Sequence, residues 1–249
     1  MRRVFEKSCS SRNPCAGFSL LELMIVLVIL LAISGAVFQV VNLTTERSST
    51  EQTKLDMFQE AREFMDQMSR DLRLAGFPNP RNFAPAVSPA LLDPVANDRR
   101  VGVGLVKIAA SELWFEGDVD GTGNVSVIHY YLDTSTASGC PCLKRSQLPK
   151  IDGNPYTGQT APSYQVEVQG VTNTNIFSAY NDGVQQTLPL DFNSNGATIA
   201  ALDTIQAVLS LQAATMDPKT HKKPSTSLVT TVRLNNCSLA ASGQQTSCF

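Results

Sequence analysis

The feature that most constrains this chain is an apolar run near its N-terminus. From Leu23 to Leu43 there is no ionisable side chain, and the stretch from Phe18 to Asn42 covers 25 residues, or about 37 Å as a helix. Such a helix is long enough to cross a bilayer. Residues 1–17 carry four basic side chains and one acidic side chain, and a basic flank stays on the cytoplasmic side. We predict a single-pass anchor in the bacterial inner membrane, with a cytoplasmic N-terminus.

A cleaved secretory signal is the main alternative for a basic leader followed by an apolar run. The small pair Ala16 and Gly17 precedes the run, whereas a secretory peptide is cut after its apolar core. The run also exceeds the roughly 7–15 residues of such a core. The sequence therefore favours a retained anchor.

Glu22 is the one acidic residue at the start of this apolar stretch. A lone carboxylate in hydrocarbon costs up to a few kcal/mol, unless it stays at the headgroup level. If the chain is cut after Gly17, Phe18 gains a positive α-amine, and a neighbouring copy could pair its own amine with Glu22. At ~4 Å and an effective dielectric of about 20, that pair is worth roughly 4 kcal/mol before desolvation. The arrangement suits a helix-packed assembly better than a lone monomer.

The residues around this carboxylate resemble a known processing motif. Gly17-Phe18-Ser19-Leu20-Leu21-Glu22, followed by an apolar run, is similar to the cleavage motif of type IV prepilins and type II secretion pseudopilins. The resemblance implies a leader at 1–17, cleavage by a prepilin peptidase between Gly17 and Phe18, and N-methylation of Phe18. It also implies that Glu22 aids docking into the growing filament.

The segment after the apolar run changes to an amphipathic pattern. Residues 44–76 carry apolar side chains at alternating spacings of three and four, which is typical of one helix face. That stripe consists of Phe58, Ala61, Met65, Met68, Leu72 and Ala75, and Met57 and Phe64 widen it. We predict that the stripe packs on the protein's own sheet, with a coiled-coil seam and a promiscuous Met-rich surface as alternatives. The sequence LRLAGF followed by Pro78 resembles the helix end of PilW-like minor pilins and of J-type pseudopilins.

Residues 77–249 have the short apolar runs and turn residues of a β-rich head. We expect an irregular proline-rich connection at 78–98 and a hairpin turn at Asn181-Asp182-Gly183. The predicted strands are Val101–Ile108, Glu112–Phe115, Val125–Leu132, Tyr164–Val168, Ile176–Tyr180, Thr204–Leu211 and Leu228–Leu234. The predicted fold is α+β and pilin-like: a long N-terminal helix at 18–43 and 44–76, whose second half packs on an antiparallel sheet.

Four cysteines remain after the predicted cleavage: Cys140, Cys142, Cys237 and Cys248. An even number in an exported domain indicates disulfides, and three pairings are possible. Pairing Cys237 with Cys248 would close a short C-terminal loop, and Cys140 with Cys142 a small ring around Pro141. A C-terminal disulfide loop is also what the resemblance to type IV pilins implies. A redox or zinc site at Cys140 and Cys142 lacks a second set of ligands.

Two loops have oxygen-bearing side chains at alternate positions, as a calcium loop does. The first contains Asp118, Asp120, Thr122 and Asn124, and the second contains Asp191, Asn193 and Asn195. Both lack the bidentate Glu at the twelfth position, and ordinary turns explain the same residue types. Calcium is the only cofactor that the sequence suggests.

The sequence contains little that would support catalysis. Its two histidines, His129 and His221, fall in no nucleophile motif, and the net charge of −2 offers no basic surface for nucleic acid. The resemblance implies a minor type IV pilin that is not an enzyme, or alternatively a J-type pseudopilin. Its partners would be other major and minor pilins, the prepilin peptidase, the inner-membrane assembly platform and the lipid bilayer. A membrane-tethered adhesin or hydrolase is the alternative of another class.

Overall fold

The chain divides into two compact units, Met1–Ser49 and Thr50–Phe249; the second is called the head unit below. A computed structural model describes residues 19–82, 90–136, 139–217 and 220–235, together with the backbone of two short strands at 238–239 and 245–246. Helix α1 (Leu20–Leu74) passes through both units. It is followed by strands, as the α+β prediction requires.

After α1, the head unit consists mainly of β-strands, and every strand pair is antiparallel. One sheet has six strands in the order β5-β4-β3-β2-β1-β8, and a second has four in the order β10-β9-β6-β7. The elements are β1 (Gly104–Ala109), β2 (Glu112–Gly117), β3 (Ser126–Asp133), β4 (Cys142–Pro149), β5 (Gln165–Gln169), β6 (Phe177–Asn181), β7 (Val184–Gln185), β8 (Leu190–Asp191), α2 (Gly196–Ala200), β9 (Thr204–Gln212), β10 (Ser225–Arg233), β11 (Ser238–Leu239) and β12 (Gln245–Thr246). The last two pair with each other, and short 3-10 helices lie at Pro80–Asn82 and Val95–Asn97.

The predicted amphipathic face of α1 forms the centre of the head's core. One apolar cluster joins it to the inner faces of both sheets, including Phe115 and Ile128 from the six-stranded sheet and Phe177 and Leu209 from the four-stranded one. The buried helix residues are Ala61, Phe64, Met65, Met68, Asp71 and Leu72. Since this core is built from residues 50–249, the head unit has what it needs to fold without the apolar half of α1.

The prediction that Phe58 belongs to the buried stripe is wrong. Its side chain is 42% exposed, whereas Met57 packs against the core. The buried arc of the helix is rotated toward the column of Met57, Phe64 and Asp71, and Phe58 lies just beyond its opposite border. The sheet residues that set this rotation come from distant parts of the chain, so the spacing alone did not reveal it.

The C-terminal end of α1 is fixed to β2 by close backbone contacts. Ala75 forms a bridge with Gly117, and the Gly76 amide donates to the Glu116 carbonyl at 2.8 Å. A Cβ on Gly117 would collide with the Leu74 carbonyl oxygen, so only glycine permits this approach. Gly76 itself has a φ of 81°, which is the left-handed conformation that ends many helices.

All seven predicted strands are present, with ends that differ by up to three residues. The hairpin turn at Asn181-Asp182-Gly183 is also confirmed. Asn181 pairs with Val184, and the two residues between them have φ values of 49° and 76°, as a two-residue primed turn requires. Strand β4 was not predicted, although it lies inside the six-stranded sheet between β3 and β5.

A buried polar network explains why β4 does not look like a strand in the sequence. Arg145 on β4 faces inward and its Nη2 donates to Asp71 Oδ2 at 2.8 Å, while the Tyr130 hydroxyl donates to the same oxygen at 2.9 Å. Burial, together with the charge of Asp71, raises the pKa of Tyr130 well above its usual value, so the phenol stays a hydrogen-bond donor. The network joins α1 to β3 and β4.

Replacing Asp71 by Ala should lower the free energy of unfolding by about 2–4 kcal/mol, because a mostly buried guanidinium loses its carboxylate. Asp66→Ala is the matched control, since Asp66 is on the same helix and its pair with Arg62 is exposed. Urea unfolding of the head unit measures both variants. Equal effects of the two substitutions would contradict this role for Asp71.

Candidate functional site

The apolar half of α1 carries the features that the sequence singled out. Within the described residues, α1 is the one helix long and apolar enough to cross a membrane, and none of its most apolar window is buried. Between Leu20 and Leu43 its large apolar side chains are exposed. A surface of this size needs cover from lipid or from other protein, so the helix fits membrane anchoring.

Glu22 lies in the first turn of this helix. The Leu23 amide donates to the Ser19 carbonyl at 3.1 Å, which marks the start of the helical hydrogen bonding, and Glu22 is the acidic residue of the first turn. The unpaired amides at a helix N-terminus favour a negative charge. The Glu22 side chain is exposed, as a group that pairs with another chain would be. Gly17 and Phe18, the predicted cleavage and methylation residues, lie outside the described residues.

Residues 12–38 match the family model of the prokaryotic N-terminal methylation motif. This match supports a protein of the type IV pilin or pseudopilin family, which is a structural family. No curated protein and no solved structure is similar enough to this chain to match it. The motif carries general implications: processing by a prepilin peptidase, assembly with other pilins, and an anchor in a membrane.

The first predicted calcium loop is a turn closed by its own carboxylates. The Asp118 carboxylate accepts hydrogen bonds from the Thr122 and Gly123 amides, and Asp120 accepts from the Thr122 amide and hydroxyl. In the second loop, Asp191 accepts from the Asn193 and Ser194 amides. The described part of the chain contains no cluster of three or more His, Cys, Asp or Glu placed to hold a metal. Calcium binding at Asp118, Asp120, Thr122 and Asn124 stays a prediction.

The sulfurs of Cys140 and Cys142 are joined in a disulfide. The ring ends at Cys142, which is the first residue of β4. Both cysteines are buried. The pairing of Cys237 with Cys248 falls outside the described residues. It remains a prediction.

A second polar network, which the sequence analysis missed, crosses the outer face of the six-stranded sheet. Lys107 Nζ lies 2.6 Å from Glu112 Oε2, Glu112 Oε1 lies 2.6 Å from His129 Nε2, and His129 Nδ1 lies 2.7 Å from the Tyr164 hydroxyl. Glu112, Trp114 and Glu116 alternate along β2 on this face. That alternation indicates that the three side chains share one face, but it does not show which residues of β1, β3 or the loop before β5 lie beside them. Trp114 stacks on His129 with ring centroids 4.8 Å apart.

The protonation of this network follows from its burial and its contacts. Burial, and then the charge of Glu112, raises the pKa of Tyr164 to about 12, so the phenol keeps its proton at neutral pH. An ionised Glu112 carboxylate can only accept, so it accepts from His129 Nε2. Burial disfavours the ionised form of Glu112, but the hydrogen bonds from His129 and Lys107 outweigh it and lower the pKa of Glu112. Each member thus has a fixed partner.

Proposed function

We propose that this chain is a minor type IV pilin of the PilW-like group, a non-enzymatic subunit of a membrane-rooted filament. The observation that carries the proposal is the methylation motif at residues 12–38 at the head of an exposed apolar helix. In this proposal the helix holds the subunit in the inner membrane until assembly, and the head then faces the periplasm or the cell exterior. The LRLAGF sequence at the end of α1 resembles the helix end of the PilW-like group, and it resembles that of the J-type pseudopilins as well.

Glu22 has a specific task in this mechanism. A subunit leaving the lipid must place its carboxylate among apolar helices, and the α-amine of Phe18 in the neighbouring subunit compensates that charge. Attraction between the two groups grows as water and lipid headgroups are excluded. The pair therefore favours the assembled position over other axial offsets of the same helices.

The J-type pseudopilin of a type II secretion system is the second candidate. Its support is the same motif and the same helix end, so the anchor does not separate the two. The neighbouring genes would distinguish the two candidates. Pilus retraction genes favour the pilin, and secretion-channel genes favour the pseudopilin. The adhesin or hydrolase alternative predicts adhesion or hydrolysis by the head unit alone, in the absence of any filament.

The N-terminus of the protein extracted from membranes tests the proposal directly. We expect a mature chain that begins at an N-methylated Phe18, because cleavage after Gly17 exposes that amine to the methylating enzyme. Intact-mass and N-terminal peptide mass spectrometry measure it. A Gly17→Val variant is the control, since a branched side chain at the cleavage site should leave the leader attached. A wild-type chain that still begins at Met1 would contradict the proposed processing.

A further inference from the structure

The two larger sheets of the head unit have four edges, and three of them are protected against pairing with another strand. β7 and β8 have only two residues each. β5 has five residues, a register shift against β4 and the charged Glu167. Short length, bulges and charges are the usual protections of a sheet edge.

β10 is the exception. It runs for nine residues with the sequence STSLVTTVR, pairs with β9 without a register shift, and contains no proline and no charge before its last residue. It consists almost entirely of Ser, Thr and β-branched residues, which suit a strand. Val229 at its centre is 60% exposed.

The hydrogen bonds of β9 show which backbone groups of β10 point outward. The Pro224 carbonyl accepts from the Ala213 amide at one end, and the Leu234 amide donates to the Asp203 carbonyl at the other, both at 2.8 Å. Antiparallel pairing alternates along a strand, so the even-numbered residues of β10 bond to β9. The amides and carbonyls of Ser227, Val229 and Thr231 therefore face away from the sheet, and no described residue pairs with them.

We propose that β10 is a docking edge for β10 of a second copy of this chain, so that two four-stranded sheets join into one of eight strands. The strand is self-complementary about Val229. In an antiparallel pair centred there, Ser227 lies opposite Thr231 of the second copy, and Val229 lies opposite Val229. Arg233 lies opposite Ser225, so no like charges meet. The exposed Val229 side chains cover each other, and each outward amide finds a carbonyl.

The association of the head unit, residues 50–249, tests this pairing separately from the motif and the anchor, which it lacks. We expect the sedimentation mass to rise from monomer to dimer as the protein concentration is raised. Val229→Lys should weaken the association at least about tenfold, because two ammonium groups then lie opposite each other at the centre of the pair. Val184→Lys is the matched control: Val184 is 63% exposed on β7, at the other edge of the same sheet, and its substitution should leave the dimer intact.

Amide hydrogen exchange followed by NMR gives a second readout with a specific pattern. The amides of Thr226, Leu228 and Thr230 should be protected at every concentration, whereas those of Ser227, Val229 and Thr231 should become protected only as the dimer forms. A head unit that stays monomeric, or a Val184→Lys variant that dissociates equally, would overturn the proposal. Protection of the odd-numbered amides at all concentrations would also overturn it, because a segment of the same chain would then cover the edge.

Discussion

Replacing Lys150 by Met should lower the free energy of unfolding of the head unit by about 3–5 kcal/mol at pH 7, the usual cost of breaking a buried ion pair. Lys150 and Glu116 are fully buried at their side chains, and Lys150 Nζ lies 2.6 Å from Glu116 Oε2. The ammonium also donates to the Ala96 and Val101 carbonyls at 2.9 and 2.7 Å. Without it, a fully buried carboxylate loses its cation, and two backbone carbonyls lose a hydrogen-bond donor.

The pH dependence of this loss identifies its cause. Burial raises the pKa of Glu116 despite the nearby ammonium, and removal of Lys150 raises it further. A carboxyl whose pKa is higher in the folded state stabilises that state at low pH and loses the contribution as the pH rises through the folded pKa. The Lys150→Met variant should therefore be much closer to wild type at pH 5 than at pH 8. Urea unfolding at both values measures the difference.

Two controls accompany the measurement. The double variant Lys150→Met with Glu116→Leu should recover much of the lost stability at pH 8, since no charge remains buried. Lys144→Met is the single-site control, because Lys144 is paired with Asp133 nearer the surface of the same sheet. A Lys150→Met variant whose loss of stability does not change with pH would contradict an unpaired Glu116 as the cause.

The sequence predicted those parts of the fold that depend on local pattern. The apolar run, the three-and-four spacing of Met65, Met68 and Leu72, and the glycine at the turn after β6 each depend on a few neighbouring residues. Strand β4 was not predicted because Arg145, a charged residue, points into the core. Its partners Asp71 and Tyr130 are distant in the chain. The buried Lys150 was missed for the same reason: a lysine after a proline looks like a surface turn until Glu116 is placed beside it.

The functional residues also differ in whether they depend on neighbouring residues or on distant ones. The motif from Gly17 to Glu22 is a continuous stretch, so its resemblance to the prepilin motif could be recognised in the sequence, and the family model matches the same region. The network of Lys107, Glu112, His129 and Tyr164 is spread over three strands and a loop. The order in which β1, β2 and β3 pair brings its members together, and no spacing rule on one strand contains that information.

Replacing Glu22 by Gln should reduce incorporation of the subunit into filaments by at least about tenfold while leaving its amount in the membrane unchanged. The reason is electrostatic. At ~4 Å and an effective dielectric of about 20, the carboxylate and the α-amine of Phe18 in the neighbour attract by roughly 4 kcal/mol before desolvation. If a third of this energy remains after desolvation, its loss lowers the equilibrium constant for incorporation by a factor of about ten. Gln has nearly the same shape, so helix packing and membrane insertion stay as they are.

The comparison that isolates the charge uses filaments sheared from cells and blotted against the membrane fraction. Glu22→Asp keeps the charge on a shorter side chain and should retain part of the incorporation. Gln39→Glu combined with Glu22→Gln keeps the total charge of the apolar helix but moves it more than four turns away, and this variant should remain defective. If Glu22→Gln enters filaments as well as wild type, or if the displaced carboxylate restores incorporation, the carboxylate does not act by pairing with the amine of the adjacent subunit.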